Sequence, residues 1–412
     1  MFKLPPIPRA DGVTNRQVFL GLGARFFDEL LSGLPDVLMP TMRVLLGLSF
    51  TQISLLSLVL NYVAAIVEPI NGLLIDMWPR RRLLAWGAFF IGVSTMLVGL
   101  APTFALLVVA YGVYGLGSGP LAHTGDVVLV EAHPAAPDRI FARATLLDTM
   151  GALLGPALVT FTFWLHFPWR WLLLSLGASS LVYAFFLLRT RFPVAAGISQ
   201  ETEDGHGHML AGMRANLRTV LTHPAARYWL LFSLAFDLLE TPFHFQTVWL
   251  AEEVGLSQAL VGVFRVLEMV VGMVSLLALD RWRQRASARQ VLRLAAAGVA
   301  LLFPAWLFIP GIWPRFLLMV PLMFLLSMFW PIVRAQSLAC LPGRAGAMTA
   351  ALSLLGLLPL TLLLGLLADR ANLPTAMFTG FAVGMASIVL LLSQGAGNQA
   401  VWAGQDDDND AG

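Results

Sequence analysis

The chain has 412 residues, of which 58% are hydrophobic and 12% charged, and 26 Lys and Arg against 24 Asp and Glu give a formal net charge of +2. That charged fraction is about half that of an ordinary soluble domain, too little polar side chain to cover a surface facing water. Apolar stretches of the roughly 20 residues a spanning helix needs recur along the chain, so the composition excludes a soluble protein and points to a polytopic membrane protein. A single cysteine, Cys340, excludes an internal disulfide. The opening MFKLPPIPRADG is polar and proline-rich, and no cleavable signal peptide is expected from it.

Twelve spans are predicted in chain order. The first six lie at about 17–42, 50–75, 83–101, 104–131, 141–165 and 170–188. The second six lie at about 226–250, 257–279, 290–310, 315–341, 345–368 and 373–394. Between the two sets a polar stretch, 190–224, contains SQETEDGHGHML and reads as a cytoplasmic linker. His206 and His208 could bind a metal weakly, yet a solvated loop accounts for them more simply. The predicted organisation is an N-terminal six-helix bundle (1–189), the linker (190–224), a C-terminal six-helix bundle (225–395) and an acidic cytoplasmic tail (396–412) ending QDDDNDAG. With the N-terminus inside, nineteen Lys and Arg fall on the cytoplasmic side and four (Arg43, Arg170, Arg315, Arg370) on the other. This bias predicts an inner membrane protein with both termini cytoplasmic.

The two halves match each other. Phe27-Asp28 corresponds to Phe236-Asp237, and Gly47-Leu48-Ser49 to Gly255-Leu256-Ser257, each serine placed to cap the next helix. Asp76-Met77-Trp78 corresponds to Asp280-Arg281-Trp282, and Pro120 with His123 to Pro331 with Arg334. The offsets, 209, 208, 204 and 211, are nearly constant. Internal repeats of this kind mark secondary transporters, whose sites lie between repeats near the bilayer midplane.

An ionisable residue inside a span costs roughly 2.5–3.5 kcal/mol on insertion scales and should face protein or water. Spans 3, 6, 9 and 12 carry none in their central parts. Span 1 carries Arg25, Asp28, Glu29 and Asp36; span 4 carries His123 and Asp126, with Glu131 near its cytoplasmic end. Span 7 carries Asp237, Glu240 and His244, and span 10 carries Arg334. Spans 2, 5 and 8 are intermediate, with Glu68, Asp148, Arg265 and Glu268. The pattern selects Asp28, Asp36, His123, Asp126, Asp237, Glu240, His244 and Arg334 as candidates for a substrate and proton cavity, since a carboxyl there can exchange a proton as its solvation changes. Blander readings stand beside this one. Arg265 with Glu268, and Arg25 with Asp28 or Glu29, can neutralise each other within a helix. The two histidines can be hydrogen-bonded packing residues, and Arg334 can pair with a span 7 acid or contact an anionic substrate. Gly151, Gly155 and Pro156 in span 5 suggest a hinge, since small residues permit close helix approach and proline kinks.

Two motifs resemble the major facilitator superfamily. The loop after span 2, Gly72-Leu73-Leu74-Ile75-Asp76-Met77-Trp78-Pro79-Arg80-Arg81-Arg82, resembles the signature G-x-x-x-D-R-x-G-R-R, with Met77 and Pro79 in place of its arginine and glycine. In span 5, Gly151 to Pro156 resembles the G-x-x-x-G-P core of proton-coupled antiporters, although Val159 and Thr160 stand where paired glycines are expected and Tyr111 where many antiporters carry an arginine. The resemblance implies an all-α membrane protein with twelve transmembrane helices in two pseudo-symmetric bundles. It also implies a conformational latch of Gly72, Asp76, Arg80 and Arg81, with Glu131 or Asp126 as the partner of Arg80. The expected activity is secondary transport of a small organic solute by alternating access, as proton-coupled efflux; proton-coupled uptake of a metabolite and a non-transporting sensor or scaffold are the alternatives. No G-x-x-x-x-G-K-[ST] or H-E-x-x-H motif is present, and no enzyme activity, cofactor, metal or nucleic-acid partner is expected. Expected partners are the small-molecule substrate, protons and the bilayer, with the chain acting as a monomer.

Overall fold

Backbone N–H and C=O groups find no water in hydrocarbon, so a chain this apolar must satisfy them within helices or a closed barrel. The computed structural model describes residues 9, 12–133, 137–192, 220–283, 285–340 and 345–394, and every regular element among them is helical. The predicted linker falls largely, and the acidic tail wholly, outside the described residues. The helices are α1 (Asn15–Leu46), α2 (Phe50–Met77), α3 (Arg80–Leu100), α4 (Phe104–Ala132), α5 (Pro137–Trp164) and α6 (Trp169–Leu188). They continue as α7 (Pro224–Glu240), a 3-10 turn (Thr241–Phe245), α8 (Gln246–Glu252), α9 (Gln258–Arg283), α10 (Ala288–Phe308) and α11 (Ile312–Leu326). The last are α12 (Phe329–Ala339), α13 (Ala345–Leu355), α14 (Leu360–Arg370) and α15 (Leu373–Gln394).

Ten segments among the described residues are long and apolar enough to cross a membrane. α1, which carries Arg25, Asp28, Glu29, Asp36 and Arg43, is not one of them, nor is the interrupted stretch from α7 to α8. Three predicted spans are broken in the backbone, each at a proline. Pro242 lies in the 3-10 turn between α7 and α8. Pro331 has no N–H to offer the carbonyl of Ser327, where α11 gives way to α12. Pro359 separates α13 from α14 and disfavours helical backbone at Leu358.

The repeat is visible in local geometry. Gly47 and Gly255 both adopt left-handed backbone, with φ of 63° and 76°, a conformation that costs glycine least. Each is followed by its capping serine: Gln52 N donates to Ser49 Oγ at 3.1 Å, and Leu260 N to Ser257 Oγ at 3.4 Å.

The chain divides into two compact units, one of residues 1–199 with 257–266, the other of residues 200–256 with 267–412. In the first, α3 packs between α4 and α6, α1 lies on α5 and α4, and α2 lies on α4. In the second, α7 lies on α15, α10 on α11 and α14 on α15 around an aromatic core. There Phe303 stacks on Phe381 at 4.1 Å, Trp249 meets Trp306 at 4.6 Å and Phe236 stacks on Phe329 at 5.6 Å.

The predicted hinge glycines of α5 sit where that helix presses on α1. A Cβ at Gly151 would lie 2.5 Å from the Phe26 carbonyl oxygen, and one at Gly155 would lie 2.9 Å from that of Leu30. Contact with rigid backbone leaves no side chain to move aside, so Gly151→Ala should destabilise by about 1–3 kcal/mol. Gly112→Ala, whose Cβ would meet only Val59 Cγ1 at 3.6 Å, should leave stability nearly unchanged. Melting temperatures of the two variants in detergent check this; equal values would mean that the α1–α5 contact yields.

Candidate functional site

The charged residues of the first unit gather where α1, α2, α4 and α5 meet. Arg25 of α1 reaches Asp126 of α4 at 3.0 Å through Nε, and Asp148 of α5 at 3.8 Å. Local closeness explains the choice of partner, because a Cβ at Gly125 would lie 2.9 Å from the Ala24 Cβ and so α1 and α4 nearly touch beside this pair. The predicted intrahelical partners of Arg25 are therefore not used: among the described residues no ion pair joins Arg25 to Asp28 or Glu29.

Asp28 sits one helical turn from Arg25 and is only 7% exposed. The Tyr114 hydroxyl of α4 lies 3.1 Å from its backbone carbonyl and 3.3 Å from Oδ1, so one phenol ties the carboxyl to α4. Farther along α1, Asp36 is exposed. On α4, His123 faces Glu68 of α2, with Nε2 and Oε1 4.0 Å apart and both side chains about half exposed; such a pair contributes about 0–1 kcal/mol at most. Asn71 of α2, buried, donates to the Gly119 carbonyl at 3.3 Å and holds α2 to α4 beside Pro120.

At the far end of α4, Arg80 Nη2 donates to Glu131 Oε1 at 2.9 Å, with side chains 3% and 14% exposed. Of the two partners expected for Arg80, the structure thus uses Glu131, while Asp126 is held by Arg25. The bond joins the first turn of α3 to the last turn of α4 within one unit. Arg81 is half-buried on α3, and the Asp76 side chain and the surroundings of Gly72 lie outside what is described.

In the second unit Asp237 is half-buried on α7, Glu240 is exposed at its end, and His244 is exposed in the 3-10 turn. Arg334 lies on α12 with its guanidinium carbon 5.9 Å from the ring centre of Trp330. No ion pair joins Arg334 to Asp237 or Glu240 among the described residues. Nor do the described residues hold a group of three His, Cys, Asp or Glu arranged for a metal ion.

A family model described as the Major Facilitator Superfamily matches residues 21–356. The chain belongs to this superfamily. Its members are transporters rather than enzymes, and this chain is a multi-pass membrane protein of that fold. A mutant form of the nucleoside transporter NupG superposes with a TM-score of 0.77 at 13% identity, covering 92% of this chain and 99% of that one. A lincomycin resistance protein of Streptomyces lincolnensis is 32% identical over 120 residues, 29% of this chain and 25% of that protein. A probable sulfoacetate transporter of Cupriavidus necator is 26% identical over 204 residues, 48% of this chain and 47% of that protein. The matches therefore span a quarter to about half the length of these relatives.

For a superfamily member of this geometry, sequence reasoning missed three residues. Tyr114 carries no charge and drew no notice in a glycine-rich span, though a buried carboxyl opposite it needed a donor. Asp148 was seen inside span 5 but not placed in the cavity, and it completes the acidic pair around Arg25. Gln246 is fully buried in α8, and its amide has no hydrogen-bond partner among the described residues; no periodicity or charge pattern singled it out.

Removing one partner of a buried ion pair strands the other charge and costs about 3–5 kcal/mol, whereas replacing both with apolar residues is often near neutral. Glu131→Gln and Arg80→Met should each lower the melting temperature strongly, and the double variant Arg80→Met/Glu131→Leu should recover most of the loss. Thermal unfolding of the three purified proteins tests this; additive losses would show that the pair is not coupled.

Proposed function

We propose that this superfamily member is a secondary active transporter that exports a small organic solute by alternating access, coupled to proton entry. The observation that carries the coupling is Asp28: a carboxyl enclosed at mid-helix, bonded to the neutral hydroxyl of Tyr114 and one turn from the Arg25, Asp126 and Asp148 cluster. A carboxyl so placed stays neutral when enclosed and ionises when water or a cation reaches it, which is the behaviour a proton carrier requires. Asp237 is its repeat counterpart. The remaining candidates, Asp36, His123, Asp126, Glu240, His244 and Arg334, line the substrate path in this reading. Gly151, Gly155 and Pro156 serve as the contact on which α5 and α1 move, and Gly72, Asp76, Arg80, Arg81 and Glu131 act as the latch. The direction is suggested by the relative named for lincomycin resistance.

A second reading is uptake of a small anionic metabolite with protons. Arg334, with no acid of α7 bound to it, and the relative named as a probable sulfoacetate transporter favour it. In both readings the chain acts as a monomer with twelve spans, two six-helix halves joined by the 190–224 linker, and both ends in the cytoplasm of a bacterium.

Proteoliposomes with an imposed proton gradient separate these possibilities. For export by exchange, an outward gradient of lincomycin should collapse faster when protons flow the opposite way, and Asp28→Asn and Asp237→Asn should each slow gradient-driven flux by at least about tenfold, roughly 1.4 kcal/mol in barrier. If protons and solute flow the same way, the uptake reading replaces export. If both asparagine variants transport at the wild-type rate under a gradient, the proton assignment is wrong even with the fold unchanged.

A further inference from the structure

Two grooves, one in each unit, share one repeat position and differ in chemistry. In the first unit a groove of about 140 Å³ between α2, α3 and α4 is lined by apolar residues, among them Leu74, Trp86 and Leu116, with Asn71 the one polar residue among the described lining. The offset of 204 that relates Trp78 to Trp282 also relates Leu74 to Ala278. Ala278 lines a larger groove, about 490 Å³, in the second unit, together with Arg281, Trp282, Arg285 and Phe324. At this shared position the first groove is apolar, whereas the second adjoins two arginines.

The polarity along the second groove runs in one direction. Phe324 and Ala278 form its apolar end, and the Ser275 hydroxyl, which donates to the Phe324 carbonyl, pins α9 to α11 there. Arg281 and Trp282, the latter 38% exposed, lie about one turn beyond Ala278, and Arg285 lies just past α9, at the end that the arginine bias assigns to the cytoplasm. Neither arginine makes an ion pair among the described residues; the side chains of Asp280 and Arg283 lie outside them. An apolar end, then a guanidinium beside an aromatic ring, then a second guanidinium follow the order of acyl chain and headgroup in a phospholipid. Guanidinium groups match phosphate oxygens in pairs.

We propose that this groove binds the phosphate headgroup of an anionic phospholipid from the cytoplasmic leaflet, with one acyl chain lying along Ala278 and Phe324. The site is separate from the proposed transport path and does not depend on it. A free phosphate ion would satisfy the arginines but leave the apolar end unfilled, so the same chemistry from the two sources is separable.

The test uses the purified full-length chain in neutral detergent, titrated with phosphatidylglycerol, phosphatidylcholine or inorganic phosphate, with melting temperature and bound lipid by native mass spectrometry as readouts. Phosphatidylglycerol should stabilise the wild type and remain bound, while phosphatidylcholine and phosphate should not. Arg281→Gln/Arg285→Gln should weaken phosphatidylglycerol binding about tenfold or more, and Arg281→Lys/Arg285→Lys should weaken it less, since charge is kept but the paired geometry is lost. Arg16→Gln/Arg191→Gln, which removes the same charge elsewhere, should bind like the wild type. Equal loss in that control, full binding by the glutamine variant, or saturation of the effect by phosphate alone would each overturn the proposal.

Discussion

A charge in hydrocarbon must find an opposite charge, a hydroxyl or water, and that requirement organises the first unit. Arg25 is held by acids from two other helices, Arg80 by Glu131, and Asp28 by a phenol. Each of these contacts crosses between helices rather than running along one. They make the positions of α1, α3, α4 and α5 interdependent. Glycines at Gly125, Gly151 and Gly155 bring the backbones close enough for short side chains to reach.

Much of this was legible in the sequence because the bilayer leaves few solutions. Helix was the only spanning structure compatible with open apolar stretches, and the Gly-Leu-Ser repeats announced the two serine caps. The partner of Arg80 was narrowed to two acids, and the geometry selected the one on the last turn of α4. What one-dimensional reasoning could not supply was pairing across helices. Arg25 had Asp28 and Glu29 three and four residues away, an arrangement that suits an ion pair along one helix, yet the α1–α4 approach at Ala24 and Gly125 delivered a better partner. Neutral residues with decisive partners, such as Tyr114 and Asn71, leave no mark in a charge pattern.

The breaks in spans 7, 10 and 11 were equally hard to see. Pro331 and Pro359 were visible, but prolines also occur inside unbroken helices here, as Pro120 does in α4 and Pro304 in α10. Whether a proline bends or interrupts a helix depends on what neighbours offer the carbonyl it leaves unbonded.

Those interruptions carry a consequence for how the protein meets its surroundings. At each break the regular helical ladder is interrupted, and a carbonyl left unbonded there is one that annular lipid cannot solvate, so the stretches around Pro242, Ser327 and Pro359 call for screening by other protein or water. The helices α3, α6, α10 and α15 run without such a gap. They correspond to the spans that also lack ionisable side chains at their centres. Continuity is shared with α1, α2, α4, α5 and α9, so it is the breaks, and not their absence, that constrain what a helix has to face.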